Sequence, residues 1–120
     1  MPRRKNITFD TVRTLALALS GVESAPGGAA AIKVQGKLLA WVPTNRSAEA
    51  ASIAVRVSFE DRAELLVADP DVYYVTDHYV GYNAVLVRLS RVSLDALRDL
   101  LGMAHKFATR RAPRPPRKRG

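Results

Sequence analysis

His78 and His105 are the only imidazoles in this 120-residue chain, and it contains no cysteine. Groups that titrate near neutrality or ligate a soft metal are therefore scarce, and thiol nucleophiles and thiolate zinc sites are excluded outright. The richer chemistry surrounds His78, where Tyr73, Tyr74, Tyr79, Tyr82 and Arg88 follow one another closely in the sequence. Tyrosine offers a π face and arginine a planar two-pronged donor, so the set is suited to stacking on bases and gripping phosphates. Shielding the rim of a hydrophobic core is the competing use of such tyrosines. No G-x-S-x-G elbow, H-E-x-x-H pair or Walker loop occurs, and Gly27-Gly28 lacks the spacing of a dinucleotide loop and reads as a turn. No catalytic residue, metal or cofactor is assigned, and the chain is expected not to be an enzyme.

Charge gives the second clue. The formal net charge is +8, with 19 basic and 11 acidic residues. Nine of the cations lie in two arms without acids: Arg3, Arg4 and Lys5 at one end, and Arg110, Arg111, Arg114, Arg117, Lys118 and Arg119 at the other. Residues 6–109 keep ten cations against all eleven anions, a net charge of −1. Clustered arginines bind polyanions by releasing condensed counterions, which supplies affinity without sequence preference. Solubility, acidic proteins or lipid head groups are the other uses of such a tail.

A coarse reading of the elements positions these groups. Phe9, Val12, Ala16 and Leu19 recur at helical spacing and predict a helix over residues 8–19, capped by Thr8. Strands are predicted over 30–34 and 37–42, joined by Gln35-Gly36 as a tight turn, then over 52–57, 72–76 and 84–89. Alternation in the first pair directs Ile32, Val34, Leu38, Ala40 and Val42 to the core and Lys33, Lys37 and Trp41 away from it. It also turns Tyr74 inward and Tyr73 outward. Residues 43–51 are polar and irregular and are expected to form a flexible loop. Ser58 opens a second helix, closed by Pro70, whose apolar stripe is Phe59, Ala63, Leu66 and Val67; Ser93 caps a third with Leu94, Leu97, Leu101, Ala104 and Ala108 on one side. Acids fall on the helices and loops and none on the predicted strands, which carry Lys33, Lys37, Arg56 and Arg88 instead. The order α-β-β-β-α-β-β-α is that of an α+β fold, one antiparallel sheet with helices packed on one face. Residues 1–7 form a basic arm, 8–108 the domain, and 109–120 a proline-rich basic tail with the composition of a disordered segment.

The runs 36–40, 68–76 and 85–89, with His78-Tyr79 and Gly81-Tyr82 between the last two, resemble the MmcQ/YjbR family. The likeness extends over residues 12–111, and its specific part is 68–89. The resemblance implies a compact α+β fold similar to CyaY, secretion-chaperone and double-wing DNA-binding architectures, with wing-like hairpins at Gln35-Gly36 and over 77–83. Ile32, Ala84 and His105 depart from it, each standing where an aromatic residue is common in the family.

The leading expectation is a DNA-binding protein of low sequence specificity. Lys33, Lys37, Arg56 and Arg88 would meet phosphates, His78, Tyr79 and Tyr82 would lie near a groove, and the arms would add affinity. The alternative is a chaperone-like protein-interaction module that works as a homodimer or with another protein partner. Lack of cysteine, of an apolar stretch long enough to span a bilayer and of a secretion-signal pattern makes the cytoplasm, away from membranes, the expected setting.

Overall fold

A computed structural model describes residues 7–26, 30–44 and 46–109. The turn at Gly27-Gly28 and the cations of both arms, Arg110, Arg111, Arg114, Arg117, Lys118 and Arg119 among them, lie outside the described residues. The described residues form, in order, α1 (Phe9–Leu17), β1 (Val22–Ser24), β2 (Ala31–Val34), β3 (Lys37–Trp41), β4 (Ser52–Arg56), α2 (Phe59–Ala68), β5 (Tyr73–Tyr74), a 3-10 turn (Asp77–Tyr79), β6 (Ala84–Arg88) and α3 (Leu94–Thr109). The strands make one antiparallel sheet in the order β1-β2-β3-β4-β6-β5. The α+β architecture read from the sequence is the one observed, with one strand more than predicted.

Alternation explains which face each strand buries. Ile32 and Val34 of β2, Ile53 and Val55 of β4 and Val85 and Val87 of β6 join Val12 and Ala16 of α1 and Leu97, Leu100, Leu101 and Ala104 of α3 in one continuous core. Leu65 and Leu66 of α2 pack against the same core, so all three helices lie on one face of the sheet. Caps fix where the helices begin: Ser58 Oγ accepts from the Asp61 N–H at 3.0 Å, and Ser93 Oγ accepts from the Ala96 N–H at 3.0 Å.

Several local assignments are corrected. The three-residue strand β1 carries Glu23, opposite Lys33, so the sheet is not free of acids. Its register puts Val22 against Val34 at the edge of the helix-covered face, too short a segment for alternation to reveal. A bulge between β2 and β3 takes the pairing from Ile32–Ala40 to Lys33–Leu38, leaving Leu39 as the extra residue. Leu39 and Ala40 are in consequence both fully buried, whereas Val42 is 38% exposed. The two tyrosines of β5 are reversed: Tyr73 joins the helix-covered core and Tyr74 lies on the other face. Helix α2 is rotated from its predicted phase, since Arg62, Leu65 and Leu66 point inward while Phe59 is 46% and Val67 84% exposed.

Gln35 and Gly36, the two turn residues between β2 and β3, have φ of +52° and +76°. A type I′ turn requires positive φ at both central positions, which matches the twist of the flanking strands and favours Asn-Gly. Gln35→Asn is therefore expected to raise stability by about 0.5 kcal/mol and Gln35→Val to lower it by about 1 kcal/mol, measured by urea denaturation.

Candidate nucleic-acid interface

The face of the sheet away from the helices carries its own small apolar cluster. In cross-strand register Trp41, Ala54, Leu86 and Tyr74 form one row, and Tyr79 packs on Ala54 and Leu86 from the loop between β5 and β6. Tyr79 is only 5% exposed. Its burial corrects its expected place beside a groove, because a ring that seals this cluster has no free face for a base. The Tyr79 and His78 rings meet in a T-shaped arrangement at 4.8 Å between centroids, and Tyr82 lies 6.1 Å from Tyr79 and 5.9 Å from His78. Of the three, His78 and Tyr82 present surface to solvent, Tyr82 at 56%.

What holds this loop in place is Arg62 of α2. Its Nη1 donates to the carbonyls of Tyr79, Tyr82 and Ala84 at 3.2, 2.9 and 3.1 Å, and Nη2 donates to Val80 O at 2.9 Å. The guanidinium also lies 4.9 Å from the Phe59 ring centroid. Among the described residues no ion pair involves Arg62, and burial lowers its pKa from the ordinary guanidinium value. Four carbonyls thus take the role a carboxylate would normally fill. The sequence offered one signal for this residue, an arginine at helical spacing with Leu65 and Leu66, and polarity alone directs such a residue to solvent.

Arg88 and Lys37, both assigned to phosphates from the sequence, are engaged inside the protein. Arg88 forms a two-pronged pair with Glu49, at 2.8 Å from Nε and 2.7 Å from Nη2, and its guanidinium lies 4.3 Å from the Tyr74 ring centroid. The hydrogen bond from Arg88 holds the Glu49 carboxyl below the usual carboxylate range. The Glu49 N–H donates to Tyr74 Oη, so the segment expected to be a flexible loop is anchored to the sheet at this point. Lys37 donates from Nζ to Ala108 O at 3.2 Å, serving the carbonyl end of α3.

Lys33 and Arg56 differ from these two. Arg56 Nε donates to Leu38 O at 2.6 Å, and among the described residues neither Lys33 nor Arg56 belongs to an ion pair. Glu23 stands across from Lys33 in the pairing, which moderates the local potential without a contact pair.

Strand direction gathers these residues at one end. Because β2 and β4 run the same way and β6 opposes β4, the Gln35-Gly36 turn, Arg56 and the 77–83 loop share one end of the sheet. The Lys37 bond brings the C-terminal end of α3 to that same end. Lys33, Lys37, Arg56, His78 and Tyr82 accordingly lie toward one end of the sheet, Lys37 on the helix-covered face and Lys33 and Arg56 on the other, and Arg88 is at the opposite end with Ser52. Acids are present too: Glu60 and Asp61 begin α2, and Asp77 begins the 3-10 turn, so the positive character is confined to the β2–β4 side.

Comparison with known proteins points to a family and adds no function. A family model for YjbR matches residues 17–107. An uncharacterized protein of Mycobacterium bovis and another of Mycobacterium tuberculosis are each 36% identical over 83 residues, covering 58% of this chain. The match spans 64% of the length of these relatives. No solved structure matches the chain.

Two outcomes test the anchoring contacts. Arg62→Met leaves four backbone carbonyls without their donor and is expected to cost about 2–4 kcal/mol in chemical denaturation, with Arg62→Lys recovering only part, since a single ammonium cannot span them. The depressed Glu49 pKa means that the bridge to Arg88 contributes fully above about pH 4.3 and is lost as pH falls through the lower folded value. A stability profile between neutral pH and about pH 2 should accordingly lose part of its acid-side slope in Glu49→Gln.

Proposed function

The chain belongs to the YjbR family, and we propose that it is a non-enzymatic DNA-binding protein of low sequence specificity. The observation that carries this reading is that Lys33 and Arg56, outside any ion pair among the described residues, lie on one face of the sheet toward the end at which α3 finishes. The C-terminal arm, which follows α3 in the sequence, holds Arg110, Arg111, Arg114, Arg117, Lys118 and Arg119. The body thus carries cations toward the end of the fold where α3 ends, the sequence continues from Thr109 into the basic arm, and a phosphate backbone is a polyanion long enough to meet both. Arm contacts supply counterion release and hence affinity; Lys33 and Arg56 orient the body on the backbone. Arg88 and Tyr79 are left out of the interface because both are occupied. Absence of cysteine favours a reducing setting such as the cytoplasm, and no helix among the described residues is long and apolar enough to cross a membrane.

A protein-interaction role has one observation in its favour, the exposed outer side of α2 with Phe59 and Val67 beside Glu60 and Glu64. The exposed carboxylates of this surface suit a partner other than a polyanion.

Replacing the six arm cations by glutamine is expected to weaken binding to duplex DNA steeply and to flatten the log-log salt dependence by up to about 5, at roughly 0.9 for each phosphate no longer neutralised. Lys33→Gln with Arg56→Gln should lower the slope by about 2 more by the same rule. Affinity and slope unchanged in both variants, measured by fluorescence anisotropy across a salt series, would leave α2 as the better candidate surface.

A further inference from the structure

We infer that the body of the protein prefers single-stranded to duplex DNA, an inference that rests on the DNA-binding reading above and names its substrate class. A duplex is read in the major groove by a helix or by a two-stranded ribbon inserted into it. None of the three helices has a basic outer side. On α1 the exposed positions include Asp10, with Arg13 paired to it at 2.8 Å; on α2 they include Glu60 and Glu64; on α3 they include Asp95, Arg98, Asp99 and Lys106, with Arg98 3.4 Å from Asp95. The β2–β3 hairpin is no free ribbon either, since β1 and β4 flank it on both sides and its tip is only Gln35 and Gly36.

Aromatic rings beside cations free of ion pairs on a sheet face are what remains, and this combination fits unstacked bases. Trp41 is half-buried beside the Ala54, Tyr79 and Leu86 cluster, and Tyr79 connects it to the exposed rings of His78 and Tyr82. Lys33 and Arg56 are on the same side of the sheet and can follow a backbone while bases stack on Trp41, Tyr82 or His78. Stacking of this kind is available only to bases released from a duplex, and it tolerates any sequence because every base has a π face.

The single tryptophan makes the inference directly readable. Full-length protein is titrated with an oligothymidine and with a mixed-sequence duplex of equal length at physiological salt. The single strand is expected to quench Trp41 fluorescence and to bind more tightly; the duplex is expected to bind with little quenching. Labelled-oligonucleotide anisotropy then follows Tyr82→Ala, at an exposed position, and Trp41→Ala. Each should lower the ratio of single-strand to duplex affinity by about 5- to 150-fold, the equivalent of one base left unstacked, and Trp41→Phe should restore most of it. Equal affinities, an unquenched Trp41 and an unchanged ratio in Tyr82→Ala would overturn the single-strand preference while leaving DNA binding intact. Failure of both nucleic acids to bind would instead overturn the DNA-binding reading itself.

Discussion

A guanidinium buried under the loop between β5 and β6 holds four backbone carbonyls, and the side of the sheet opposite the helices takes its form from that contact. Carbonyls of Tyr79, Val80, Tyr82 and Ala84 converge on Arg62, which fixes the path of the loop where no strand pairing does. That path presses the Tyr79 ring onto Ala54 and Leu86, and the pressed ring in turn supports Trp41, Tyr74 and Val75 around it. The exposed rings of His78 and Tyr82 then project from a fixed base. An arginine suits this role better than a lysine because its planar fork can serve several acceptors at once. Charge at the site is retained without a carboxylate, since converging carbonyl dipoles compensate the cation.

The fold was largely legible in the sequence because its strongest patterns are local. Alternating Val, Ile and Ala in β4 and β6, the Gln35-Gly36 turn and the serine caps of α2 and α3 each specify one element with little help from the rest of the chain. What escaped was decided by tertiary context. The strand β1 has three residues, below the length at which alternation carries information. Leu39 is buried next to buried Ala40 because a bulge breaks the period of two, and Tyr73 and Tyr74 exchange faces because β5 contributes only two residues to the ladder. In α2 Arg62 and Leu65 take inward places beside Leu66 while Phe59, Ala63 and Val67 are exposed, an outcome that a polar-outside rule inverts.

The candidate surface was legible in its residue types more than in the contacts those residues make. The cations and aromatics stand out in the sequence as a group, yet their availability depends on partners distant in the chain. Arg88 meets Glu49, 39 positions away, and Lys37 meets Ala108, 71 positions away. Neither contact leaves a trace in local composition. Lys33 and Arg56 keep their charge free of ion pairs among the described residues, and the three-dimensional route that collects them with the end of α3 follows from strand direction. Net charge by segment, by contrast, is read from the sequence alone, since it does not depend on which contacts form.

Both borders of the sheet are unusually brief: β1 has three residues and β5 only two. Long, flat, apolar borders recruit further strands from neighbouring molecules and seed fibrous aggregates. Here Glu23 sits at the centre of β1, and Pro26 follows soon after, so a second copy approaching in antiparallel fashion would confront like charge and lose a donor. A protein whose sheet interior is so rich in valine and isoleucine is by this means guarded at its β1 border against polymerising along its strands.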